Sequence, residues 1–219
     1  MIEKDTYKFL KSVLTLFSGS SIAQIISITA LIILQRYFYD PEEYAPFRLF
    51  FEFSAAFSSV SALRLESGLV LERKDENTLS LLRACVKFCM ITSIIGSLIF
   101  TFYYFKEIQV FNYEWIIIFL MPLAIFGNGI IQISQPFYTK YKEFFTISSS
   151  KVIHSICGST AQIITGFLGF NFSGLIIGRI TGLFSADLNY LIKFFKTHKW
   201  PKKNKLKEKE LIKKHKKFI

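Results

Sequence analysis

Four long stretches of this chain carry no charged side chain. They run for 24 residues between Lys11 and Arg36, 18 between Lys87 and Lys106, 25 between Glu114 and Lys140, and 27 between Lys151 and Arg179. A bilayer core about 30 Å thick needs about 20 mostly apolar residues per helix, so each stretch can supply a span. A buried helix of a water-soluble protein is a poor alternative, because such helices average about 10 to 14 residues and show a polar face. Composition agrees: 51% of the 219 residues are hydrophobic and 25 are Phe, yet the formal net charge is +11, so charge and apolar surface must be segregated along the chain.

Two further segments are apolar on balance but contain charges. Tyr44 to Leu71 includes Arg48, Glu52, Arg64 and Glu66, and Ser173 to Phe195 includes Arg179 and Asp187. The intervening GFNFSG, Gly169 to Gly174, divides a long apolar run into a tight helical hairpin. The expectation is therefore an all-α, polytopic membrane protein with six transmembrane helices, roughly 12–35, 44–70, 82–105, 114–137, 147–169 and 173–195, followed by a basic linker or tail over 196–219. With the N-terminus in the cytoplasm, 23 Lys and Arg fall on the inside and three, Arg36, Arg48 and Lys106, on the outside. The rule that basic loops stay inside then predicts both termini cytoplasmic. No cleavable signal peptide is visible, the first apolar stretch being too long and without a small-residue cleavage site.

The tail KTHKWPKKNKLKEKELIKKHKKFI, Lys196 to Ile219, reads as a solvated segment on anionic headgroups. Only Trp200 and Phe218 offer rings for base stacking, so a nucleic-acid partner is not expected. The spacing of Leu206, Leu211 and Ile212 suggests a short helix on the membrane surface. Three Cys and three His show no metal-ligand spacing, and glycine-rich phosphate loops, G-x-S-x-G and H-E-x-x-H are absent. Neither metal nor cofactor is expected, and a membrane enzyme of lipid or glycan assembly is the alternative rather than the first reading. A non-catalytic six-helix subunit or channel is the third.

Polar residues inside the spans carry the functional argument, because each ionisable side chain in hydrocarbon costs about 2.5 to 3.5 kcal/mol on insertion scales and so faces a bundle interior or a cavity. Arg48, Glu52, Ala55, Ser59, Ala62 and Glu66 recur along one helical stripe; Ser20, Gln24 and Ser27 form a second; Lys151, Ser155, Gly158, Gln162 and Thr165 form a third. For the Ser, Ala and Gly positions, close helix packing explains the stripes as well as a cavity does. Glu52, Gln24, Gln162 and Arg179 favour a cavity. Arg179 lies about 9 Å into the last span, within partial snorkelling reach of the outer face. Asp187 lies about 12 Å further along and about 80° around, so the two cannot pair. Glu52 is a candidate partner for Arg179, Glu52 and Asp187 are candidate ion-coupling residues, and His154 reads as a packing residue.

FLKSVLTLFSGSSIAQII (Phe9 to Ile26), RYFYDPEEYAPFRLF (Arg36 to Phe50) and RLESGLVLERKDEN (Arg64 to Asn77) resemble the first two helices and connecting loops of the Wzx-type polysaccharide flippases. These are O-antigen and capsule repeat-unit translocators of the multidrug/oligosaccharidyl-lipid/polysaccharide exporter superfamily. The family pattern there looks like R-x-E-x-A-hydrophobic-x-L-P-x-x-D-E. Arg64, Glu66, Leu69, Leu71, Asp75 and Glu76 match it, while Gly68 replaces the Ala and Glu72 the Pro. SGLIIGRITG, Ser173 to Gly182, continues the resemblance, which otherwise rests on helix order and spacing.

The resemblance implies one lobe of a two-lobed flippase in the bacterial inner membrane. It would move undecaprenyl-pyrophosphate-linked oligosaccharide between leaflets by alternating access, with no covalent chemistry. Arg64 would then sit at the cytoplasmic end of the second span, reaching headgroups or the lipid pyrophosphate, and Glu66 would pair with a lysine such as Lys11. Together with Arg179, Gln24, Glu52 and Gln162 these form the expected substrate-binding set. A chain stopping in a lysine-rich segment, with polar stripes needing something to face, predicts a second lobe from a continuation, a separate chain or a second copy.

Overall fold

The computed structural model describes residues 2–106, 115–200 and 205–215, with side chains placed from Leu10 onward except at 205–207, 209 and 215. Among these residues every regular element is helical: α1 (Ile2–Tyr37), a 3-10 turn (Pro41–Glu43), α2 (Tyr44–Ser59), α3 (Glu66–Leu71), α4 (Asp75–Lys106), α5 (Ile116–Lys140), α6 (Phe144–Phe167), α7 (Phe172–Thr197) and α8 (Lys205–His215). Four helices are long and apolar enough to cross a membrane: α1 over Leu10–Tyr37, α4, α5 and α7. The chain is thus a membrane-embedded helical protein.

The other two expected spans differ from expectation, and each has a physical reason. The segment expected as one helix over 44–70 is broken: α2 ends at Ser59 after 16 residues, a series of turns follows, and α3 adds six residues. Leu63 and Arg64 within the break have left-handed backbones (φ 51° and 55°). Neither half reaches the length of a span. α6 is long enough, at 24 residues, but Ser148, Ser149, Ser150, Lys151, His154 and Gln162 lower its hydropathy. Glu114, where the fourth span was expected to open, lies outside the described residues.

Local chemistry sets the helix ends. In the α1–α2 connection, Pro41 opens the 3-10 turn and the Glu43 carboxylate accepts from the Asp40 backbone N–H at 3.0 Å. α6 closes in a Schellman arrangement: the Phe170 N–H reaches the Thr165 carbonyl and the Gly169 N–H the Gly166 carbonyl, each at 3.0 Å, with Gly169 at φ 74°. That glycine turns the chain directly into α7, as the GFNFSG hairpin requires. α5 contains Pro122 and Pro136; each removes a backbone hydrogen bond, a loss that neighbouring helices make tolerable inside a membrane.

α6 and α7 form the central pair. α1 packs on α6, α5 on α7, and α4 and α2 on α5. Close approach comes from small residues: a Cβ placed on Gly182 would lie 2.7 Å from the His154 carbonyl oxygen, and one on Gly19 would collide with Ser148. Two aromatic-rich cores flank the bundle. One gathers Leu65, Leu69, Cys85, Phe137, Tyr190 and Phe194; the other gathers Phe50, Phe100, Tyr104, Ile117 and Phe172. Phe50 meets Phe100 edge-to-face at 6.0 Å.

The tail contributes a helix. The Glu208 carboxylate of α8 is buried between Lys87 and Arg83 of α4, Lys214 reaches Glu72 at 2.6 Å, and Leu211 joins the core beside Leu69 and Leu81. The residue pattern of Leu211 and Ile212 therefore finds its apolar surface on the protein. The Leu206 side chain, residues 201–204 and Phe218 lie outside the described residues.

Candidate polar cavity

The seam between α1 and α6 is held by side chains that the sequence spaces about one helical turn apart. Ser148 Oγ donates to the Thr15 carbonyl at 2.9 Å, Lys151 Nζ to Ser20 Oγ at 2.9 Å, and Ser155 Oγ to the Ala23 carbonyl at 2.7 Å, with Ser27 Oγ 2.8 Å from Ser155 Oγ. Interhelical hydrogen bonds in membranes contribute on average about 0.6 kcal/mol each. Four of them give about 2 kcal/mol, comparable to packing one large side chain, without filling the seam with apolar atoms.

The space left open is a half-open cavity of about 470 Å³ lined by α1, α5, α6 and α7. Gln24, Asn128, Gln135, Lys151, His154 and Arg179 set amides, an imidazole and two cations into a lining that is otherwise mostly apolar. α1, which forms one side, is the least covered of the four spans. A cavity with cations and amides on its wall, set among hydrocarbon-facing helices, can hold an anionic group together with hydroxyl-bearing groups.

Arg179 occupies the boundary of this cavity. Its Nη1 lies 2.9 Å from His154 Nε2, and its guanidinium sits over the Phe51 ring, 4.7 Å from the centroid. A guanidinium only donates, so the ring nitrogen accepts and the His154 proton resides on Nδ1. Arg179 therefore points inward and does not snorkel to the outer face. Its Nε is buried without a hydrogen-bond partner.

The sequence candidates separate into two groups. Gln24 and Arg179 line the large cavity, and Gln162 lines a smaller one of about 260 Å³ adjoining it, where its Nε2 donates to the Leu175 carbonyl at 3.1 Å. Arg64 is exposed, in the break between α2 and α3, away from both cavities. Glu52 is corrected: its side chain is 58% exposed and accepts from Arg48 Nε at 2.8 Å, because the i,i+4 spacing places that partner on its own helix. It is not the partner of Arg179. Glu66 forms no ion pair with Lys11, and its Oε2 is buried without a hydrogen-bond partner.

No family model, curated protein or solved structure matches this chain.

Asp187 lies on a neighbouring face of α7, about 80° around from Arg179. It is 4% exposed, neither carboxylate oxygen has a hydrogen-bond partner, and it borders an apolar groove of about 410 Å³ with Phe126, Ile130, Phe184, Leu188 and Trp200. Among the described residues no group of three or more His, Cys, Asp or Glu is placed to hold a metal ion. Several polar residues of the cavity, Ser150 and Tyr190 among them, carry no expectation from the sequence. His154 was read as packing although it is the partner of Arg179, and Asn128 and Gln135 of α5 were not singled out. Their seven-residue separation, two helical turns, is the signal that places both on one face.

Proposed function

We propose that this chain forms one lobe of a membrane transporter that passes a lipid-linked oligosaccharide from one leaflet to the other by alternating access. The observation carrying this reading is the cavity of about 470 Å³ with Arg179, Lys151, Gln24 and Asn128 on its wall, inside a bundle whose outer surface is apolar. An anionic lipid headgroup would meet the guanidinium and the ammonium, and sugar hydroxyls would exchange water for the amide and serine groups. The resemblance of RLESGLVLERKDEN and its neighbours to the Wzx-type flippases points to the same substrate class, undecaprenyl-pyrophosphate-linked repeat units of O-antigen or capsule in a bacterial inner membrane.

In this reading both termini are cytoplasmic, no covalent chemistry or cofactor is involved, and a second lobe supplies the facing wall. Arg64, at the cytoplasmic end of α2–α3, contacts headgroups, and Asp187 is the carboxylate available for ion coupling. The test is surface glycan export in a strain lacking its own flippase, supplied with the chain and a candidate second lobe. Arg179→Ala should abolish export at normal membrane levels. Arg179→Lys should retain part of it, keeping the charge while losing the planar fork. Full export by the Ala variant overturns the proposal.

A further inference from the structure

Two cavities meet at one side-chain pair. The larger runs past Gln24, Lys151 and Asn128; the smaller is bounded by Leu31, Tyr44, Phe51 and Gln162; and Ser27, His154, Ser155 and Arg179 border both. At that shared wall the Arg179–His154 bond ties α7 to α6, and the Ser27–Ser155 contact ties α1 to α6. The wall is made of hydrogen bonds and not of packed hydrocarbon, so it is the place where a change of proton occupancy alters the connection between the cavities.

We infer that the Arg179–His154 pair is a proton-operated gate: a proton taken up at His154 Nε2 breaks the bond to Arg179 and joins the two cavities. The chemistry follows from the donor inventory. Arg179 has no acceptor to offer, so the bond exists only while Nε2 carries no proton. Once Nε2 is protonated, two donors of like charge face each other and Arg179 must swing away. The movement has somewhere to go, because the guanidinium borders both cavities and its Nε is already free of protein partners.

The charged surroundings are simple. α6 itself contributes Lys151, held by Ser20, and the thiol Cys157; α7 contributes Arg179, the Tyr190 phenol on the wall of the larger cavity and, about two turns on from Arg179, Asp187 on a neighbouring face. α1 has no ionisable group between Lys11 and Arg36, and α5 no acid or base between Ile116 and Phe137. α2 brings Tyr44 to the smaller cavity, while its Glu52 is engaged by Arg48. Among the described residues no carboxylate pairs with Arg179, which makes the imidazole the controlling acceptor. The inference rests on the transport reading for its use, since it supplies that reading with a co-ligand, the proton.

The experiment uses the full chain in sealed membrane vesicles with Cys157→Ala, Cys85 and Cys89 being buried, and with Ser159→Cys placed in the smaller cavity. A membrane-impermeant methanethiosulfonate is applied to each face in turn. At about pH 8 the thiol should be labelled from one face only; on acidification to about pH 4, low enough to charge an imidazole buried beside a guanidinium, it should be labelled from both. Divided by the first-face rate, which carries the pH dependence of the thiol itself, the second-face rate should rise by up to about tenfold for each unit the pH falls, the limit for a single titrating group. His154→Gln keeps an acceptor for Arg179 but takes no proton, so it should stay one-faced at both pH values. Arg179→Gln should be labelled from both faces at both pH values.

Second-face labelling of His154→Gln equal to the parent, one-faced labelling of the parent at both pH values, or one-faced labelling of Arg179→Gln overturns the gate. Export separates the two readings. Loss of export in Arg179→Ala with pH-independent labelling ends the gate alone, whereas a working gate with full export in that variant ends the flippase reading alone.

Discussion

Two neighbouring faces of α7 present opposite solutions to a charge in the middle of a membrane protein. On one, Arg179 has an imidazole 2.9 Å away, an aromatic face beneath it and a polar cavity beside it. On the other, Asp187 is buried with no hydrogen-bond partner, against an apolar groove. The same helix therefore carries one charge whose surroundings were built for it and one whose surroundings were not. A buried group with partners is a structural asset and its removal leaves orphans; a buried group without partners is a standing cost that only a function justifies.

The largest expected effect tests the packing that makes the partnered side possible. Gly182→Val would push a side chain into the His154 carbonyl, 2.7 Å from the first added carbon. The α6–α7 pair should lose about 3 kcal/mol or more, seen as loss of the folded, monodisperse protein in detergent. Retention of parental thermal stability would show that α6 and α7 do not cross as closely as described.

Next is Asp187→Leu, which replaces the unpartnered carboxylate with a side chain suited to the groove. Stability should rise by about 1 to 3 kcal/mol, read as a higher unfolding midpoint. A lower midpoint would mean that Asp187 has a partner, and the contrast between the two faces of α7 would disappear.

Two smaller effects sharpen the comparison. Gln162→Ala removes the bond to the Leu175 carbonyl and should cost about 1 kcal/mol, leaving a buried acceptor behind. Glu208→Gln, at the α8–α4 contact outside the apolar belt, should cost less than about 1 kcal/mol and lose its effect in high salt, because Lys87 is 43% exposed. Protease protection of α8 measures the second. Salt-independent release would mean that the core contact of Leu211, not the ion pairs, holds the helix.

Three of the four span-length helices, α1, α4 and α5, were legible because charge-free runs of 18 to 25 residues have one stable arrangement in a bilayer, whereas the 27-residue run falls on α6, too polar to qualify, and the qualifying α7 carries Arg179 and Asp187. The break in the second expected span was not, because Val60, Ser61, Ala62, Leu63, Arg64 and Leu65 include no Gly or Pro. Its position depends on packing against α4, where Thr92 Oγ1 donates to the Ser61 carbonyl, and side-chain spacing holds no record of that bond. Arg179 was legible as a charge needing a partner, but the partner lies 25 residues upstream on another helix, brought in by the Gly182 crossing. For Glu52 the decisive spacing was already visible: Arg48 four residues earlier reads equally as a stripe member and as an ion-pair partner, and the structure takes the second.

Leu63 and Arg64 invert the usual rules of mutational tolerance. Inside a membrane helix, glycine normally loosens the backbone and is a poor exchange for leucine. Here both residues hold a left-handed backbone at a cost of about 1 kcal/mol each, a conformation glycine adopts freely. Glycine at either site removes that cost, and a β-branched residue such as valine at position 63 raises it. A saturation scan of the second membrane segment should therefore be intolerant of glycine along α2, accept it at the two joint residues, and mark the break without any structure being consulted.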